Sequence, residues 1–116
     1  MTLYEKLRYE KIDYVMLNTS GASRYEMLAE EAVELAHVAQ KIARYLRGEQ
    51  PVSLDMTPGK LRENLIEEYA DVSLAFDAIT GADSKVKAEV FEVNDQKLKR
   101  WYNRLKEREG NAEKID

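Results

Sequence analysis

The sequence predicts an all-α fold, a four-helix antiparallel bundle. Three observations carry this. Apolar residues recur at three- and four-residue spacing through four separate segments, the period of an amphipathic helix. The five glycines and two prolines of the 116 residues fall mostly where those periods break. No segment alternates apolar and polar residues over a useful strand length.

The first helix is expected over about Thr2–Leu17, with Leu3, Leu7, Tyr14 and Leu17 as its apolar stripe and Glu10 interrupting it. Asn18-Thr19-Ser20-Gly21 is a break. Ser23 with Glu26 three residues on reads as a capping box that opens a second helix. That helix should run to about Arg47 and stop at Gly48, with Arg44 and Arg47 near its negative end. Gly48–Thr57 is the longest irregular stretch and contains Pro51. Thr57-Pro58 pairs a hydroxyl cap with a proline in the first turn, so a third helix begins there and ends near Thr80, before Gly81. Asp83 or Ser84 caps a fourth helix reaching roughly Arg108. Gly110–Asp116 is expected to be a disordered tail, leaving one domain over residues 1–109.

Composition narrows the function classes. The chain is 44% hydrophobic and 34% charged, with a formal charge of −4, which argues against nucleic-acid binding as the main role. It has no cysteine; this excludes disulfides and cysteine-based zinc sites and suits a reducing cytoplasm. Met1–Lys11 is charged throughout and does not read as a secretory signal, and no apolar run approaches membrane-spanning length.

Two helices carry acids where apolar residues are expected. On the second, Leu28, Ala32, Leu35, Ala39, Ile42 and Leu46 form one seam. Beside it runs Met27, Glu31, Glu34, Val38 and Tyr45. Glu31 and Glu34 are three residues apart and project from one patch. On the third, the seam is Leu61, Leu65, Glu68, Val72, Ala75 and Ile79, with Asp71 pointing the same way beside Ala75 and Ala78. Carboxylates next to a buried seam are costly unless compensated. If the two helices pack together, four carboxylates converge without nitrogen or sulfur ligands, which suits a hard cation, magnesium or manganese. The chemistry such a site favours is cleavage of a phosphate ester or anhydride by an activated water.

Phosphates call for positive charge. The fourth helix places Phe91, Asn94, Leu98, Trp101 and Leu105 in its seam and Lys97, Arg100 and Arg104 beside it. This basic stripe reads as a phosphate clamp or as a solvated face paired with acids. Trp101, Tyr102 and Tyr25 have the chemistry to stack on a base, although aromatics at helical spacing are usually core.

Glu30-Glu31-Ala32-Val33-Glu34 followed by Glu68-Tyr69-Ala70-Asp71 resembles the E-E-x-x-E … E-x-x-D motif of the MazG-like, all-α nucleoside triphosphate pyrophosphohydrolases. The flanking Leu28-Ala29 and Ile66-Glu67 match as well, and the likeness covers roughly Tyr25–Arg104. It implies that Glu31, Glu34, Glu68 and Asp71 are catalytic and bind magnesium, and that Asn94, Lys97 and Arg100 contact substrate. It implies hydrolysis of a (d)NTP to the monophosphate and pyrophosphate. It also implies a homodimer or homotetramer, as do the helices that carry two apolar stripes. The Gly48–Lys60 loop is longer than in compact members. Glu30 is left as a further ligand or a surface acid, and Glu67 as a surface acid.

Two other readings are open. Glu34-Leu35-Ala36-His37 is an E-x-x-H, half of a ferritin-like di-iron motif that a homodimer would complete with Glu68, leaving Glu31 and Asp71 without a role. A non-catalytic helical adaptor would use its second apolar stripes to bind a partner and would show no metal effect.

Overall fold

The computed structural model describes residues 1–49 and 57–115, with side chains described through Asn111. Among the described residues the regular structure is entirely helical: α1 (Leu3–Leu17), α2 (Gly21–Leu46), α3 (Pro58–Thr80) and α4 (Ser84–Ile115). The expected loop after Gly48 falls largely on residues 50–56, outside the described residues. The chain divides into two units, Met1–Ala82 and Asp83–Asp116, and each is taken by itself.

The helix ends follow local chemistry. Thr2 caps α1 reciprocally: its hydroxyl accepts from the Glu5 amide, and the Glu5 carboxylate accepts from the Thr2 amide, both at 3.1 Å. α2 begins earlier than expected, because Ser20 rather than Ser23 is its cap and accepts from the Ser23 amide at 3.1 Å. The cause lies one residue further on. The Arg24 guanidinium donates to the carbonyls of Met16 at 2.8 Å and Thr19 at 2.7 Å, satisfying acceptors at the end of α1 and tightening the turn. Thr57 and Pro58 open α3 as the sequence indicated, with the Thr57 hydroxyl accepting from the Lys60 amide.

α3 ends on Gly81 at φ 71°, followed by Ala82 at φ 54°. Glycine takes the left-handed region freely, whereas alanine pays about 1–2 kcal/mol there. Ala82 is nevertheless held: its methyl is buried, and its carbonyl accepts a hydrogen bond from the Tyr9 hydroxyl at 3.3 Å. Arg8 pairs with Asp77 at 3.2 Å beside it, so α1 is fastened to the last turn of α3.

That fastening decides which face of α1 turns inward. The expected stripe of Leu3, Leu7, Tyr14 and Leu17 is exposed. Ile12 is the buried residue, flanked by half-buried Tyr9 and Met16. A small core of Ile12, Leu61, Ala75, Ala78 and Ala82 serves the first unit. On α2 the half-buried line is Leu28, Glu31, Leu35, Val38, Ile42 and Tyr45, rotated by about one position from the expected seam. Ala32, Ala39 and Leu46 are exposed. On α3, Leu61 and Ala75 are buried and Glu68, Val72 and Ile79 half-buried as expected, but Leu65 faces outward and Ala78 is in the core.

In the second unit, the Asp83 carboxylate accepts from the Lys85 amide at 2.7 Å and starts α4. The helix continues through Ile115, where the sequence had suggested an end near Arg108 and a disordered tail. One glycine costs a helix only about 1 kcal/mol relative to alanine. Here the turn before Gly110 is braced by Lys106, which pairs with Glu109 at 3.3 Å and lies 5.8 Å from the centre of the Tyr102 ring.

Candidate metal centre

The acids of α2 and α3 meet. α2 packs along α3, and the line of side chains that α2 turns toward it includes Glu31 itself. One carboxylate oxygen each from Glu31, Glu68 and Asp71 lies within 4.8 Å of the other two. Glu34 is more exposed. It is not one of that tight group, yet its carboxylate is near enough for its charge to act on both Glu31 and Glu68. Four carboxylates from two helices therefore share one patch, and helical spacing accounts for it: residues three apart stack on one face.

The electrostatics are unfavourable as they stand. Glu31 and Glu68 are each half-buried, but one oxygen of each, Oε2, is shut off from solvent with no hydrogen-bond partner among the described residues. Burial pushes the Glu31 carboxyl above its ordinary pKa, and the charges of Glu34 and Asp71 push it further. Glu68 is raised in the same way, by burial first and then by Glu34 and Asp71. A buried acceptor without a donor is rare in folded proteins and costs free energy.

A cation relieves both costs at once. The donors are all oxygen and all anionic, the set preferred by hard divalent ions. Opposite ligands of an octahedral magnesium stand about 4.2 Å apart, given metal–oxygen distances of about 2.1 Å. Of three ligands at most one pair stands opposite, and adjacent ligands stand about 3.0 Å apart, so oxygens up to 4.8 Å apart would have to draw together to meet a single ion. In donor type, the three carboxylates suit a hard divalent cation such as magnesium or manganese.

The other acids of the two motifs and the histidine do not join this cluster. Glu30, Glu67 and His37 are exposed, and none belongs to the group of converging carboxylates. Lys97, Arg100 and Arg104 do share one face of α4 with Trp101, lining a shallow groove of about 260 Å³. Asn94 is exposed on the same helix.

The sequence assigned α1 no part in the site. In the structure Tyr4, Leu7, Arg8, Lys11 and Val15 border a cavity that Glu31 and Asp71 also line. Tyr4, Lys11 and Val15 recur at helical spacing, a signal that the more obvious Leu3, Leu7, Tyr14 and Leu17 stripe masked.

No family model matches the chain, and neither a curated protein nor a solved structure matches it.

Proposed function

We propose that the protein is a magnesium-dependent nucleoside triphosphate pyrophosphohydrolase of MazG-like type. The observation that carries the reading is the pair of shielded, unpartnered oxygens of Glu31 and Glu68 inside a patch of four carboxylates. Together with Glu34 and Asp71 these residues would hold magnesium, with manganese as an alternative. Bound there, a divalent ion supplies charge neutralisation for the phosphates and raises the acidity of water. The motif shared with the MazG-like enzymes supports the choice of substrate, a (d)NTP.

In the proposed reaction, a water oxygen forms a bond to one phosphorus of the α–β anhydride. The bond from that phosphorus to the bridging oxygen breaks, giving monophosphate and pyrophosphate. Glu34, the more exposed of the two α2 acids in the patch, takes up the water's proton. Asn94, Lys97 and Arg100 of α4 keep the substrate-binding role that the resemblance implies, the two cations being of a chemistry that pairs with phosphate.

The reading includes self-association as a homodimer or homotetramer. Ile66, Tyr69 and Leu74 of α3 are each more than half exposed, and large apolar side chains in such number are the mark of a surface that a second copy covers. Light scattering at micromolar concentration is expected to give a mass above the 13.4 kDa of one chain.

The test is incubation with magnesium and a panel of (d)NTPs. Pyrophosphate and the matching monophosphate should accumulate, and chelation should stop the reaction. Absence of pyrophosphate release across the panel, with magnesium or manganese, overturns the assignment. Iron-dependent oxidation would instead favour a di-iron protein, and metal-independent behaviour an adaptor.

A further inference from the structure

Residues 97–108 of α4 hold six of the chain's 18 basic residues and a single acid, Glu107, although the whole chain carries a formal charge of −4. The positive charge is gathered on one stretch of helix and ordered around it. At 3.6 residues per turn, Leu98, Trp101, Tyr102 and Leu105 fall within a sector of about 100°. Each of the four is more than half exposed. Lys97, Arg100, Arg104 and Arg108 run along the border beside Trp101, and Lys99 and Lys106 along the border beside Tyr102. Asn103 and Glu107 take the opposite side. Trp101 and Arg104 wall two adjoining shallow grooves of about 260 and 190 Å³, so an indole and a guanidinium share one surface. On the other border Lys106 lies 5.8 Å from the centre of the Tyr102 ring. Its pairing with Glu109 at 3.3 Å is exposed on both sides, and such pairs hold a side chain only weakly.

We propose that this half of α4 lies flat on an anionic lipid bilayer, its apolar sector among the acyl chains and its two basic borders against the headgroups. Charge complementarity selects this partner. A phosphate clamp uses one basic border and gives the Lys99 and Lys106 border no role. A single-stranded nucleic acid would use the arginine row and Trp101, and would leave Leu98, Leu105 and the second border unused. A bilayer surface engages all of them: cations on either side of an apolar sector reach outward to anionic headgroups while their stems cover apolar surface. Indole and phenol rings sit at the depth where headgroups meet acyl chains. Among the described residues no helix is long and apolar enough to cross a membrane, so the contact is with one surface. Bilayer binding does not depend on the carboxylate centre, and a protein that hydrolyses nothing would still show it.

Trp101 is the chain's only tryptophan and reports on this face directly. The full chain is mixed with vesicles of phosphatidylcholine, with or without phosphatidylglycerol, and sedimentation and tryptophan emission are read together. Binding to the anionic vesicles is expected to be at least about tenfold stronger than to the neutral ones, and to weaken as salt rises. Trp101 emission is expected to shift to the blue and to be quenched by brominated acyl chains. Lys99→Gln/Lys106→Gln leaves Lys97 and Arg100 in place and removes only the second border. With helical content checked by circular dichroism, it is expected to lose about tenfold in affinity for the anionic vesicles.

Protein that stays in the supernatant with anionic vesicles overturns the proposal, as does a double variant that binds like the wild type. Trp101 emission that is already blue-shifted without lipid and unchanged by vesicles overturns it too, because protein then covers this face. Quenching of Trp101 by a single-stranded oligonucleotide, without vesicle binding, replaces the bilayer with a nucleic acid.

Discussion

Oε2 of Glu31 and Oε2 of Glu68, carried on neighbouring helices, are both hidden from solvent, and neither accepts a hydrogen bond among the described residues. A pair of carboxylates in that state destabilises the chain that holds it. The fold keeps them because α2 and α3 pack along the very line in which both stand.

Stability should therefore run against the usual acid trend when the protein is stripped of metal. Both groups have native pKa values raised above the ordinary 4.5, so the folded chain binds protons more tightly than the unfolded one. Their contribution is favourable below the unfolded value and is lost as pH rises through the native values. Thermal melts in chelator are expected to give a higher Tm at mildly acidic than at neutral pH. Magnesium or manganese should raise the neutral Tm and narrow the difference. A metal-free Tm that climbs steadily from mildly acidic to neutral pH would contradict this.

Glu68→Gln separates stability from activity. The amide removes one negative charge and brings its own donors, so the metal-free variant should melt above the wild type at neutral pH. The magnesium-induced rise in Tm should disappear. Since supporting residues around metal ligands already cost 10–100-fold, loss of a ligand should lower pyrophosphate release by more than about 100-fold. Glu34→Gln should lower release comparably with helical content intact. Wild-type rates in both variants would remove the site.

Lys97→Ala and Arg100→Ala test the face of α4. Each is expected to raise KM or lower kcat for nucleoside triphosphates, measured at fixed ionic strength because exposed charges are screened by salt. Unaltered kinetics in both would reduce the stripe to a solvated surface.

Gly81→Ala tests the junction that holds α1. At φ 71° a Cβ would meet only the Met16 side chain, its sulfur at 3.5 Å and its Cε at 3.9 Å, both ordinary contacts, so the cost is backbone strain of about 1–2 kcal/mol. Tyr9→Phe removes the hydrogen bond to the Ala82 carbonyl and should cost about 1 kcal/mol as well. Urea unfolding midpoints measure both. A Gly81→Ala midpoint equal to the wild type would show that the turn can relax.

Much of this protein is written in local chemistry. Thr57-Pro58, Gly81 and Asp83 mark helix ends because caps, prolines and left-handed glycines act within a few residues of themselves. Glu31 with Glu34, and Glu68 with Asp71, are legible as pairs because helical spacing alone puts them on one face. What the sequence could not settle is which neighbour each helix meets. The inward face of α1 turned out to be that of Ile12, because Tyr9 and Arg8 reach acceptors on the far end of α3, some seventy residues away. The rotation that puts Glu31 into the α2 seam, and the cavity left above Ala75 and Ala78, likewise arise from packing between helices. Periodicity limits the faces a helix can bury; only contacts distant in the chain select among them.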